Sequence, residues 1–256
     1  MAEFRKSLSQ QGFLRTQIPA TPFLLTSYER ISAPNKTVNL YIEGDGRAWL
    51  NKSTPSLDPT PKNPLALKLA ALDPAQNVVY LARPCQFTKA LNNKRCDQKY
   101  WTSQRFAPEV LTAMSKALSD IKQRHNIESF NLIGFSGGGN IAALLAAKRS
   151  DVVSLRTVAG NLNHALQSQI HNVSAMPHSL NALEIAHQIS HITQLHFIGG
   201  KDKIVPQEIY QSFKRASGVP PCMRSKIVKN TGHIKGWEER WNVLLAMPLN
   251  CTDSYK

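Results

Sequence analysis

The segment NLIGFSGGGN, residues 131–140, constrains the fold of this chain more than any other stretch. An apolar run ends in Gly134-Phe135-Ser136-Gly137-Gly138, and an alanine-rich helical pattern begins at once. The spacing G-x-S-x-G in that setting calls for a strand, a sharp turn and a helix in immediate succession. Such a turn brings the chain close to itself, so a Cβ at Gly134 or Gly138 would collide. It forces Ser136 into a strained backbone conformation and projects its hydroxyl from the sheet edge. The N–H of Gly137, at the helix N-terminus, then faces the same point and can stabilise an oxyanion. The overlapping pattern Gly137-Gly138-Gly139-Asn140-Ile141-Ala142 also fits a dinucleotide loop. That fingerprint opens the first βα unit and expects an acidic residue about 20 positions on. Here it sits in mid-chain, and the next strand ends without a carboxylate. No G-K-[ST] follows, which excludes a Walker loop.

The rest of the chain supplies neighbours for that unit. Strands are expected at Gly12–Ile18, Pro22–Ile31, Thr37–Ile42, Asn77–Ala82, Phe130–Phe135, Val152–Val158, Ile192–Gly199 and Lys226–Lys229. Helical spacing marks Pro64–Leu72, Pro108–Arg124, Gly137–Arg149, Gln207–Ala216 and Gly236–Leu244. Strands alternating with helices build a mostly parallel sheet covered on both faces. The first two strands read as a hairpin that forms an antiparallel edge. Residues 161–191 break the alternation and read as a small, mostly helical, cap-like insertion after the sixth strand. The 256 residues are thus expected to form one domain, 1–256.

A serine hydroxyl needs a base, and the base needs an orienting carboxylate. In this architecture the order is Ser, Asp, His. The segment LHFIGGKDKIVP puts Asp202 in the loop just past a strand that ends in Gly199-Gly200. A turn or capping aspartate is the competing reading. The segment KIVKNTGH puts His233 in a loop after the last strand, downstream of Asp202. The other histidines lie mostly in helical or inserted segments. His187 and His191 stand i, i+4, but no HExxH pattern or third ligand accompanies them, so no metal and no other cofactor is expected. The second oxyanion donor is expected in the loop after the third strand, from the N–H of Asp45 or Gly46. Glu43 and Asp45 as a general acid/base pair is the weaker reading, because a continuing strand would put them on opposite faces. Arg47, Trp49 and Arg83 are candidates to line a cleft, although packing is the stronger reading for Arg83.

With GFSGGG, GGKDKIVP and TGH in that order, the chain resembles the α/β-hydrolase superfamily from about Thr37 to Trp237. It also looks like a bacterial group marked by YIEGDGRAW (Tyr41–Trp49), DPTP (Asp58–Pro61), YLARPCQ (Tyr80–Gln86) and YWT–RF (Tyr100–Phe106). The resemblance implies the α/β-hydrolase fold, Ser136 as nucleophile, Asp202 as acid and His233 as base. Many superfamily members carry a histidine before the first glycine of the oxyanion loop, and this chain has Glu43 there. The expected chemistry is that of a serine hydrolase working through an acyl-enzyme, with a small ester or acyl compound as substrate. A peptidase or amidase on the same triad, or a non-catalytic basic protein of the cell envelope, are the alternatives.

Lys and Arg number 31 against 17 Asp and Glu, a net charge of +14. This surface attracts anions, an envelope surface among them. The basic residues are dispersed and no recognition motif is present, so nucleic acid is not an expected partner. No apolar run reaches the ~18–20 residues of a membrane-spanning helix. Cys85, Cys96, Cys222 and Cys251 allow three pairings. Cys85–Cys96 and Cys222–Cys251 close the shortest loops, and four reduced thiols are the alternative. The first residues lack an apolar signal core. Members of the bacterial group often carry export or lipoprotein signals, so a periplasmic or envelope location is expected if a signal has been removed, and a cytoplasmic one otherwise.

Overall fold

The computed structural model describes residues 2–51, 53–88, 95–218, 220 and 222–251. Its strands are β1 (Leu14–Ala20), β2 (Phe23–Ile31), β3 (Val38–Ile42), β4 (Asn77–Leu81), β5 (Phe130–Phe135), β6 (Val152–Val158), β7 (Thr193–Gly199) and β8 (Met223–Val228). They form one eight-stranded sheet in the order β1-β2-β4-β3-β5-β6-β7-β8. β2 pairs antiparallel with β1 and β4, and every other pairing is parallel. The mostly parallel sheet with an antiparallel N-terminal edge, expected from the alternation of elements, is therefore the sheet observed.

Both faces of the sheet are covered, because its central strands alternate apolar residues onto two cores. Val38, Leu40 and Ile42 of β3 and Leu132 of β5 join α3 (Pro108–His125), α4 (Gly137–Lys148) and α6 (Gln207–Ala216). Tyr41 of β3 and Ile133 and Phe135 of β5 join α1 (Ala2–Gln10), α2 (Leu65–Ala71) and α7 (Trp241–Leu245). The period of 2 along a strand causes that division. In α3 the buried stripe is Val110, Leu111, Met114, Leu118 and Ile121, joined by the small Ala113 and Ala117. Asn126 ends the helix in the left-handed conformation, φ 49°. In residues 161–191 lie α5 (His164–Ile170) and a 3-10 turn at Ala182–Ile185. Asn140 of α4 ties this segment down, donating to Leu180 O at 3.1 Å and accepting from Ala182 N–H at 2.8 Å.

Several boundaries differ from those expected. β1 runs two residues later. α1 was not anticipated, because its sequence AEFRKSLSQ is mostly polar, yet it buries Leu8. β8 starts at Met223 rather than Lys226. It is an edge strand whose Ser225 and Lys226 face solvent, and their polarity hides it. The last helix is split into a 3-10 turn, Glu238–Arg240, and α7.

Both local cysteine pairs are bonded, Cys85 to Cys96 and Cys222 to Cys251. They close loops of 11 and 29 residues in sequence separation. On the chain-entropy account each contributes about 3 kcal/mol. Thiol titration of the unfolded, unreduced protein should therefore find no free thiol. Reduction should lower the urea midpoint, whereas four titratable thiols would contradict the pairing.

Candidate active site

β5 delivers Ser136 to the C-terminal edge of the sheet, and α4 starts one residue later. Ser136 has φ 51° and ψ −121°, a region an L-residue occupies only under constraint, at a cost of about 1–3 kcal/mol. Its N–H donates to Val158 O at 3.0 Å. Its carbonyl accepts from Gly139 and Asn161, both at 2.9 Å. The glycines permit this turn. A Cβ on Gly134 would lie 2.4 Å from the carbonyl oxygen of Gly138, and one on Gly138 would lie 2.3 Å from that of Ile42.

Asp202 and His233 come from the loops after β7 and β8. Three contacts join those loops: Gly200 N–H to Val228 O, Lys201 N–H to Thr231 O, and the close approach of Gly199 to the carbonyls of Thr231 and Gly232. Asp202 Oδ2 is 2.9 Å from His233 Nδ1, and His233 Nε2 is 3.0 Å from Ser136 Oγ. The other oxygen of Asp202 accepts from Ile204 N–H at 2.8 Å and Val205 N–H at 3.0 Å. Asp202 thus caps the turn before α6 and faces the imidazole at the same time. The Trp237 indole N–H lies 3.0 Å from the carbonyls of both Gly232 and His233 and secures the histidine backbone. The Asp202 side chain is fully buried and that of His233 is 15% exposed. In this arrangement a neutral imidazole can take the hydroxyl proton while the carboxylate holds Nδ1–H in place.

The loop after β3 closes the other side of the serine. The residue in contact with Ser136 is Gly44, whose added Cβ would stand 3.2 Å from Ser136 Cβ. Sequence reading did not single it out. Asp45 follows and turns its carboxylate over Gly137, with Oδ1 only 2.1 Å from where a Gly137 Cβ would be. Gly46 turns away, with φ +68°, against Pro59 and Gln86. Among the described residues, neither the Gly137 N–H nor the Asp45 N–H donates a hydrogen bond within the protein.

Two arginines hold Asp45. Arg83 reaches Oδ1 at 3.4 Å and Arg105 reaches Oδ2 at 3.3 Å. Desolvation pulls the buried Arg83 down to about 10, with repulsion from Arg105 adding to it and Asp45 opposing it. Arg105 was missed in the sequence. It lies in the quoted segment Tyr100–Phe106, but nothing in its spacing brings it to Asp45. Arg47 and Trp49 are exposed farther along the loop, and no hydrogen bond or ion pair joins their side chains to the triad among the described residues.

Glu43 occupies the place of the histidine common in the resembled superfamily, and it is 1% exposed. It accepts from Gly44 N–H at 3.0 Å, Ala66 N–H at 3.4 Å and Tyr80 O–H at 3.2 Å. Burial nonetheless pushes its carboxyl up to about 7, against these bonds. It anchors the loop beneath the serine and does not pair with Asp45 for acid/base work. His196 is a core residue of β7. Desolvation drives it down to about 3, and its ring meets Thr157 Oγ1 at 2.8 Å.

A family model described as serine hydrolase (FSH1) matches residues 63–231. Comparison with curated proteins gives no significant match. Among solved structures, an esterase from Pyrococcus furiosus superposes with a TM-score of 0.66 at 12% identity, covering 94% of each chain. An α/β serine hydrolase homologue from Coxiella burnetii gives 0.59 at 17% identity, covering 90% of this chain and 93% of that one. An acylaminoacyl peptidase from Pyrococcus horikoshii gives 0.65 at 10% identity, over 95% of this chain and 42% of the peptidase. These likenesses establish the fold.

Two outcomes follow from this geometry. Ser136→Gly should be more stable than Ser136→Ala by about 1 kcal/mol, because glycine adopts the positive φ without strain; equal urea midpoints would contradict the strain. Glu43 loses its proton near pH 7 when folded, against an ordinary value of 4.5. As pH rises from about 4.5 to 7 the unfolded chain ionises first, so stability falls. Measured by urea unfolding, the stability of Glu43→Gln relative to wild type should rise by about 2–3 kcal/mol between pH 5 and 8.

Proposed function

The chain belongs to the serine hydrolase (FSH1) family, and on that footing we propose that it is a carboxylic-ester hydrolase that works through an acyl-enzyme. The observation that carries the reading is the His233 imidazole, 3.0 Å from the Ser136 hydroxyl and 2.9 Å from the Asp202 carboxylate. Ser136 Oγ attacks the acyl carbonyl as His233 Nε2 takes its proton. The carbonyl oxygen becomes an oxyanion held by the N–H groups of Gly137 and Asp45. This pairing is favoured over Gly46, which faces Pro59. His233 then returns the proton to the leaving alkoxide, the C–O bond breaks, and the acyl group stays on Ser136. Water attacks the acyl-enzyme with His233 again as base, and the acid and free serine are released. Asp202 keeps the imidazole in the productive tautomer and offsets its transient charge.

The two supported donors are backbone groups, so their aim depends on the loop and the elbow rather than on side-chain rotamers. The resolved esterase neighbour from Pyrococcus furiosus is consistent with the ester preference. The acylaminoacyl peptidase shares the fold over less than half its own length.

The reading is checked with a panel of short aryl esters. Wild type should hydrolyse them, Ser136→Ala should lose about 10⁴-fold or more in kcat, and Asp202→Asn about 10⁴-fold. Ser136→Ala/His233→Ala should be no slower than Ser136→Ala alone, because the residues act as a unit. Turnover that survives Ser136→Ala would overturn the mechanism.

A further inference from the structure

We propose that the Arg83–Asp45–Arg105 cluster makes this site selective for esters that carry an anionic oxygen group, a carboxylate or a phosphate, which Arg105 would bind. The inference rests on the ester-hydrolase reading and specifies its substrate class.

The cluster stands beside the reacting atoms. The Asp45 carboxylate fills the space a Gly137 side chain would take, and Gly137 carries one of the two proposed oxyanion donors. Arg83 and Arg105 flank that carboxylate from its two oxygens. They therefore flank the carboxylate that stands over Gly137.

The charges do not cancel. One Asp would be answered by one arginine, and here two guanidinium groups share it. The side chain of Arg83 is 4% exposed, and desolvation first, with repulsion from Arg105 added, lowers its proton affinity. A surplus positive charge in a nearly dry setting is costly unless an anion completes it. Arg83 spends its terminal nitrogens on Asp45 and on the Arg105 carbonyl, while its Nε is buried without a hydrogen-bond partner.

Arg105 is the arm with capacity to spare. Its Nε faces Asp45 without hydrogen-bond geometry, and its terminal nitrogens donate to no group among the described residues. Its side chain is 16% exposed, so a ligand can reach it. Phe106 lies against both guanidinium groups, 5.1 Å from Arg83 and 5.6 Å from Arg105, and steadies them. A guanidinium fixed by its face keeps its N–H edge for bidentate contact with carboxylate or phosphate oxygens. The net charge of +14 would draw such substrates toward the protein. A purely structural role, holding the loop, would instead affect all esters alike. The ratio between anionic and neutral esters separates the two.

The test uses three aryl esters of matched acyl length, ending in a methyl, a carboxylate or a phosphate, with wild type, Arg105→Met and Arg105→Lys. In wild type at low salt, kcat/KM for at least one anionic ester should exceed that for the methyl ester by about tenfold or more. Which anionic ester is preferred identifies the group recognised. Arg105→Met should bring the ratio close to one, and Arg105→Lys should leave an intermediate ratio that salt erodes. If Arg105→Met does not fold, wild type and Arg105→Lys still decide. A wild-type ratio at or below one, or a ratio unchanged by the substitutions, overturns the proposal. Hydrolysis of the methyl ester with a ratio of one would do so while leaving the ester-hydrolase reading intact. Absence of turnover on all three esters would overturn both.

Discussion

The site depends on the contact of the Gly138 backbone with the carbonyls of Ile42 and Glu43 at the end of β3. β3 and β5 are parallel neighbours, paired in register from Val38 and Phe130 to Ile42 and Gly134. Because the elbow after β5 has no side chain at Gly138, it can lie directly against the end of β3. That contact brings the loop carrying Gly44 and Asp45 over the serine and turns Ser136 to φ 51°. A larger residue at Gly138 would push the elbow away from the loop after β3. The local strain at Ser136 is offset by the hydrogen bonds of its own N–H and carbonyl and by the buried cores on both faces of the sheet.

Acidic groups crowd a place where the proposed mechanism develops negative charge. Glu43 lies under the loop and Asp45 over Gly137, and two carboxylates near an oxyanion would oppose catalysis. The structure answers each differently. Glu43 is buried, and that burial holds its proton up to about 7 against the hydrogen bonds it accepts. Asp45 is held by two arginines, which reverse the local sign. The loop after β3 is thereby anchored by acids without a net negative field beside Ser136. The same surplus charge is the basis of the selectivity proposed for anionic esters.

Much of this was legible in the chain. The G-x-S-x-G turn, the aspartate after Gly199-Gly200 and the histidine after Gly232 are each local patterns, and each lies at the C-terminal end of a strand. Parallel strands align those ends, so three distant residues converge once the sheet forms. Arg105 and Gln86 were not legible. Gln86 donates to Gly44 O at 3.0 Å, and both residues reach the loop through irregular segments whose path no periodicity records. Gly44 went unassigned because two glycines flank Asp45, and spacing does not say which one meets the serine. The polar α1 and the edge strand β8 were obscured for a simpler reason: exposed faces carry charge, which masks the apolar period that marks an element.

On the proposed mechanism the strained elbow makes Ser136, among all the serines, the nucleophile. Labelling the folded protein with a fluorophosphonate and mapping the adduct by peptide mass spectrometry tests it directly. The expected result is one adduct, on Ser136, that forms on the folded protein and does not form on the previously unfolded chain or on His233→Ala. No adduct, an adduct on another residue, or equal labelling of the unfolded chain would contradict the account.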